Sequence, residues 1–141
     1  SLDTARWYGR GPHENYSDRL TGAAIDVYEM EVEELNYLYA EPQETGNRCG
    51  VRWLELTDGN GAGLRVEGAP EINFSAWPFT MQALEKAMHI HEIERSENIT
   101  LNIDYGQMGL GGDDSWGARP HDEYLLHPGT YRYAFILKPA E

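Results

Sequence analysis

Apolar and polar residues alternate along most of this 141-residue chain, the two-residue period of strands that bury one face. Ile25-Asp26-Val27-Tyr28-Glu29-Met30-Glu31-Val32 holds the pattern over eight positions and predicts a half-buried strand. Val51-Arg52-Trp53-Leu54-Glu55-Leu56 is rich in β-formers and runs into Asp58-Gly59-Asn60-Gly61, a strong turn signal. Leu64-Arg65-Val66-Glu67 follows, so residues 51–67 read as a hairpin. Residues 72–77 alternate again and stop at Pro78; residues 99–104 alternate over three cycles. A last strand is expected over residues 131–137, entered through the Pro128-Gly129 turn.

One stretch departs from the pattern. Thr80-Met81-Gln82-Ala83-Leu84-Glu85-Lys86-Ala87-Met88 lacks β-branched residues after Thr80, spaces Met81, Leu84 and Met88 as one helix face, and begins with a capping threonine. It predicts a short helix. Residues 106–117 are glycine-rich and irregular. Many short strands between turns predict an all-β fold, an antiparallel β-sandwich with one short helix and no internal repeat.

Charge narrows the partners. Against 24 Asp and Glu stand 11 Lys and Arg, a formal net charge of −13, with no basic stripe to offset it. Such a surface repels phosphate backbones and argues against nucleic acid. Glu29, Glu31, Glu33 and Glu34 crowd together; in a strand the first three share one face, which must meet water. No run reaches the roughly 18 apolar residues of a membrane span. Ser1-Leu2-Asp3-Thr4-Ala5-Arg6-Trp7 shows no signal-peptide pattern. The lone Cys49 has no internal disulfide partner and reads as a small buried residue; it leaves cytoplasm and periplasm both open.

Candidate chemistry is sparse. Asp113-Asp114 are adjacent, but a retaining glycosidase needs two carboxyl groups about 5–5.5 Å apart on converging side chains, and neighbours in extended chain diverge. Aspartates in turns more often bond nearby backbone, so these two are assigned to loop shaping. His89-Ile90-His91 places two imidazoles on one face of a strand, but no ligand spacing completes a metal site with Glu92 or His121, and exposed strand histidines are the plainer account. Gly109-Leu110-Gly111-Gly112 lacks the lysine of a phosphate loop and precedes two acids; it reads as backbone needing unusual φ values and close approach. In Gly111-Gly112-Asp113-Asp114-Ser115-Trp116-Gly117 an indole follows small and acidic residues, a composition suited to stacking on a sugar face, or to plugging a seam. Gly11-Pro12-His13-Glu14-Asn15-Tyr16-Ser17-Asp18-Arg19 is a second polar loop, in which Glu14 and Asp18 are expected to pair with Arg19.

Three segments, in order, resemble one family. Residues 7–19, Trp7-Tyr8-Gly9-Arg10-Gly11-Pro12-His13-Glu14-Asn15-Tyr16-Ser17-Asp18-Arg19, are similar to a signature of the final domain of family 2 β-galactosidases. Asn47-Arg48-Cys49-Gly50-Val51-Arg52 is similar to a strand of that domain, and Leu101-Asn102-Ile103-Asp104-Tyr105-Gly106-Gln107-Met108-Gly109-Leu110-Gly111-Gly112-Asp113-Asp114-Ser115-Trp116 to its longest motif. The resemblance implies a galactose-mutarotase-like supersandwich of which residues 1–141 supply the C-terminal portion, about half. It implies that a separate barrel domain carries the glutamate nucleophile, the acid/base and the magnesium ligands, leaving this chain without catalytic or metal-binding residues. It implies that Trp116 lines the aglycone side of the active site, against the leaving glucose of lactose. The expected partners are the parent's other domains and, through open sheet edges, a second copy of the fragment.

Two other readings share the same composition. An independent carbohydrate-binding module would bind galactose, glucose or lactose by itself. A mutarotase-like enzyme would need a histidine acid and a carboxylate base in one concave site, and no motif places such a pair; fold alone does not carry function.

Overall fold

The computed structural model describes residues 1–140. Six strands form one antiparallel network: β1 (Thr4–Gly11), β2 (Ala24–Glu31), β3 (Arg48–Thr57), β4 (Gly63–Phe79), β5 (Arg95–Asp104) and β6 (Phe135–Pro139). Their order is β2-β1-β3-β4-β5, with β6 paired to β4 as well. One short helix, α1 (Met81–Lys86), follows β4. This is the expected all-β class, consistent with a sandwich, and no helix among the described residues is long and apolar enough to cross a membrane.

The strand next to the centre was not among the expected elements. In β1 the buried positions are Ala5, Trp7, Gly9 and Gly11, so half of its buried face carries no side chain and its hydrophobic alternation is faint. Close packing explains the glycine at position 9. A Cβ on Gly9 would stand 2.7 Å from Val51 Cγ2 and 2.9 Å from Val51 Cα, where β3 crosses behind it.

β4 merges what read as two strands. Its first half pairs with β6 from Leu64↔Pro139 to Gly68↔Phe135, and its second with β5 from Asn73↔Asp104 to Trp77↔Thr100. The chain folds tightly between these halves, since a Cβ on Gly68 would meet Glu71 Cα at 2.6 Å. Pro78 does not end the strand as expected. It falls at the irregularity between Trp77 and Phe79, where the ladder needs no donor from it. The last strand is shifted: β6 spans Phe135–Pro139, and residues 131–134 are irregular.

The two faces of the sheet divide by chemistry. On one, Trp7 lies between Tyr28 and Phe74, with ring centroids at 5.3 and 5.7 Å, inside a core of Ala5, Val51, Leu54, Leu56, Val66, Ile72 and Ala76. Val32 and Leu35 of a 3-10 turn (Val32–Leu35) close it from above. The other face is a charge ladder in cross-strand register: Glu29 opposes Arg6, Arg6 opposes Glu55, and Glu55 opposes Arg65. Arg65 reaches Glu55 at 2.6 Å and Glu67 at 2.8 Å, and Lys138 reaches Glu67 at 2.8 Å. Glu29 and Glu31 point outward as expected, whereas Glu33 sits in the 3-10 turn and pairs with Arg95.

The helix forms where expected. Thr80 Oγ1 accepts from Ala83 N–H at 3.1 Å, and Leu84 turns inward onto Trp77 and Phe79. His89 and His91 do not lie in a strand. They flank Ile90 in a 3-10 turn (Ile90–Glu92), rings stacked at 5.6 Å. Trp7→Ala, which empties the centre of the core, is expected to cost about 3–5 kcal/mol in denaturant unfolding; a loss below about 1 kcal/mol would show that this ring is not the core's keystone.

Candidate functional site

Two polar segments far apart in sequence meet beside β3. The loop after β1 is pinned first. Asn15 N–H donates to Asn47 O at 2.8 Å, Asn47 Nδ2 to Asn15 O at 2.8 Å, and Cys49 N–H to Asn15 Oδ1 at 2.9 Å; both asparagines are fully buried. This reciprocal exchange imitates one rung of a β-ladder with side chains included, although Ser17 Oγ, Asp18 Oδ1 and Asn47 Oδ1 are left buried without partners.

Arg48 is the second pin. Its side chain is buried, and its guanidinium donates to Leu35 O at 2.5 Å, Gly46 O at 2.8 Å and Pro12 O at 2.6 Å while lying over the Trp7 ring at 5.2 Å. A guanidinium stripped of water is held by three carbonyl dipoles and an aromatic face instead of a contacting carboxylate. Burial lowers its pKa to about 10, with the charge of Glu14 opposing, so it stays protonated at neutral pH. Glu14 binds Gly46 N–H at 2.9 Å and the hydroxyls of Tyr39, Tyr16 and Thr45. Burial, then the Glu14 hydrogen bond, pushes Tyr39 up to about 12.

The expected pairing of Glu14 and Asp18 with Arg19 is therefore not found: among the described residues no carboxylate lies within 4.0 Å of Arg19, because both acids are spent on other donors. Asp18 Oδ2 accepts from Gly111 N–H at 2.9 Å, tying the first polar loop to the glycine-rich one across 93 residues. That approach needs a bare backbone. A Cβ on Gly109 would stand 2.6 Å from Asp18 Oδ2 and 2.8 Å from Tyr124 Cβ. Gly111, at φ +78°, then turns the chain outward in a conformation other residues rarely adopt.

Trp116 stands at the tip of this loop. It is 92% exposed, and among the described residues its ring has no aromatic neighbour and its indole Nε1–H no acceptor, whereas its backbone N–H is bonded. Asp114 Oδ1 accepts from Trp116 N–H at 2.8 Å and Ala118 N–H at 3.2 Å, an Asx-type turn under the indole. Asp113 turns the other way, to His121 Nε2. The two adjacent acids thus point to different partners and do not form a converging pair. The Asp113 hydrogen bond and charge raise the pKa of His121.

The remaining candidates lie elsewhere. His89 Nδ1 meets Glu92 at 3.1 Å, and among the described residues no three His, Cys, Asp or Glu gather as metal donors. Cys49 is buried; burial raises its thiol to about 11, so it is inert as a nucleophile at neutral pH. Sequence reading missed one carboxylate pair. Gln107 Nε2 lies 3.4 Å from Glu44 Oε1 and 3.3 Å from Asp104 Oδ2, and both acids are shifted upward by burial, Glu44 further by Asp104. Their sequence separation of 60 positions gives no local signal.

Comparison with known proteins bears on this geometry directly. The family described as "Beta galactosidase small chain" matches residues 1–137, which include both polar loops and Trp116. The chain belongs to the β-galactosidase small-chain family. Proteins named β-galactosidase from Priestia megaterium, Halalkalibacterium halodurans and Vibrio cholerae are 41%, 46% and 41% identical to it over 99%, 85% and 94% of its length. The chain spans only 14%, 12% and 12% of those relatives, so a small-chain segment of this kind occurs in them as part of a much larger protein.

The Asp113–His121 contact gives this small chain a titratable clasp on its exposed loop. Because the folded-state pKa of His121 is raised above 6.5, the clasp is complete below 6.5 and fades as pH climbs through the higher value. NMR titration is expected to place His121 above 6.5, and Asp113→Asn to return it towards that figure. An unchanged His121 titration in Asp113→Asn would show the contact absent in solution.

Proposed function

We propose that this chain is the C-terminal segment of a retaining family 2 β-galactosidase and supplies the aglycone-side wall of its active site through Trp116. The parent hydrolyses terminal β-D-galactosides such as lactose. Its barrel domain carries the nucleophile, the acid/base and the magnesium ligands, and this segment by itself is inactive.

The observation that carries the reading is the free indole on a braced loop. About 200 Å² of tryptophan surface at about 25 cal/mol per Å² is about 5 kcal/mol of burial forgone. Folding of this segment alone gains nothing from Trp116, so its value lies in what covers it. A flat ring left free on a loop turned by Asp114 suits the C–H face of a sugar. The two aspartates hold the loop; neither is assigned to bond breaking.

A wall at the aglycone position holds the leaving glucose, or an acceptor sugar, without touching the bond-breaking carboxylates. Its loss should therefore act on acceptor binding more than on chemistry with an aryl leaving group. In the intact parent, Trp116→Leu is expected to raise the glucose concentration for half-maximal transfer about tenfold, with aryl-galactoside turnover within about threefold. Equal loss on both substrates would remove the aglycone role.

The isolated segment is further proposed to dimerise. β2 is an edge strand, its outer ladder groups have no partner strand among the described residues, and Ile25 and Val27 are 44% and 45% exposed. Small-angle scattering is expected to give twice the 16.0 kDa chain mass at high concentration. A monomer across the concentration range would contradict it.

A further inference from the structure

We infer that Asp18 is the positioning residue of the Trp116 loop and, through it, a determinant of acceptor-sugar selectivity in the parent enzyme; this rests on the aglycone-wall reading above. The indole itself makes no contact that fixes it, so its place is set by where the loop leaves the body of the fold. That point is the Gly109–Gly111 turn, held by Asp18 Oδ2 on Gly111 N–H at 2.9 Å and by Gly109 N–H on Tyr124 O at 2.8 Å.

Asp18 is able to serve as a fixed post because its own loop is immobilised. Asn15, three residues before it, is fully buried and bonded to Asn47 and Cys49, and Arg19 N–H closes a turn onto Tyr16 O at 2.8 Å. The carboxylate sits against the Gly109 backbone closely enough that no side chain fits between them. Its second oxygen, Oδ1, is buried without a donor. A carboxylate kept under that cost, with only one backbone N–H in return, is poor stabilisation but good registration. A shift of the turn by even 1 Å is carried outward to the indole, because the Asp114 and Asp113 bonds beneath it join residues of the same loop and move with it.

The test uses the full-length parent with four variants: Asp18→Ala, Asp18→Asn, Trp116→Leu and the Asp18→Ala/Trp116→Leu double variant. Each is assayed for aryl-galactoside kcat/KM and for the glucose concentration giving half-maximal transfer. Asparagine keeps an oxygen able to accept from Gly111, so it serves as the conservative rescue. Asp18→Ala is expected to raise the glucose requirement about tenfold with aryl-galactoside kcat/KM within about threefold, and Asp18→Asn to stay within about threefold on both. In the Trp116→Leu background Asp18→Ala should add less than about twofold, since a residue that acts through the indole has nothing left to place. Amide exchange at Gly111 should also quicken in Asp18→Ala and not in Asp18→Asn.

Several outcomes overturn the inference while leaving the aglycone wall standing. These are normal glucose use in Asp18→Ala where Trp116→Leu loses it, a full Asp18→Ala effect persisting in the double variant, and equal loss on both substrates in Asp18→Ala. If Trp116→Leu itself leaves glucose transfer unchanged, the wall falls, and the role of Asp18 with it.

Discussion

The burial of Arg48 is the constraint on which the rest of the site depends. Taking a guanidinium out of water is costly unless polar partners replace the solvent, and here three backbone carbonyls from three places in the chain converge on its two terminal nitrogens, while Nε is buried without an acceptor. Pro12 belongs to the loop after β1, Leu35 to the 3-10 turn that roofs the core, and Gly46 to the approach to β3. Removing any of the three strands a buried charge, so the loop, the roof and the strand are locked together. The Asn15–Asn47 exchange then fixes the remainder of the loop up to Asp18.

From that lock, order is passed outward in decreasing strength. Arg48 and Asn15 are inaccessible to solvent, Asp18 is half-buried, and Trp116 is almost wholly exposed. The sheet makes the gradient possible. Its apolar face seats the Trp7 core under the lock, while its other face spends charge on charge, from Glu29 across to Lys138, and asks nothing of the loops. A rigid body with a projecting aromatic is what a binding wall requires, because the ordering cost is met when the chain folds and not when a ligand arrives.

Much of this was legible in the sequence, and the exceptions have physical causes. Strands β3 and β5 and helix α1 announce themselves because large apolar side chains mark their inward faces or, in α1, its helical spacing. β2 alternates too, but Ile25 and Val27 face outward and only Tyr28 and Met30 pack on the core, so the expected half-buried strand has no fully buried residue. β1 does not, because Gly9 and Gly11 occupy buried positions where neighbouring Val51 and Tyr28 fill the volume. Pro78 misled because a bulge absorbs the missing donor. The run of residues around Trp116 singled it out as a candidate, and the fold adds its exposure. Asp18 was not recognisable as its support: a carboxylate meeting a backbone N–H 93 positions away leaves no trace in local pattern, and the nearby Arg19 offered a false partner. The family resemblance supplied the motifs, but the geometry joined them.

The most direct measurement is a structure of the complete parent enzyme holding an intact lactose-like disaccharide. The account predicts the C–H face of the reducing-end ring lying about 4 Å from the Trp116 indole, a van der Waals stack. An indole packed into a seam between domains or subunits, with the sugar bounded entirely by other residues, would contradict it.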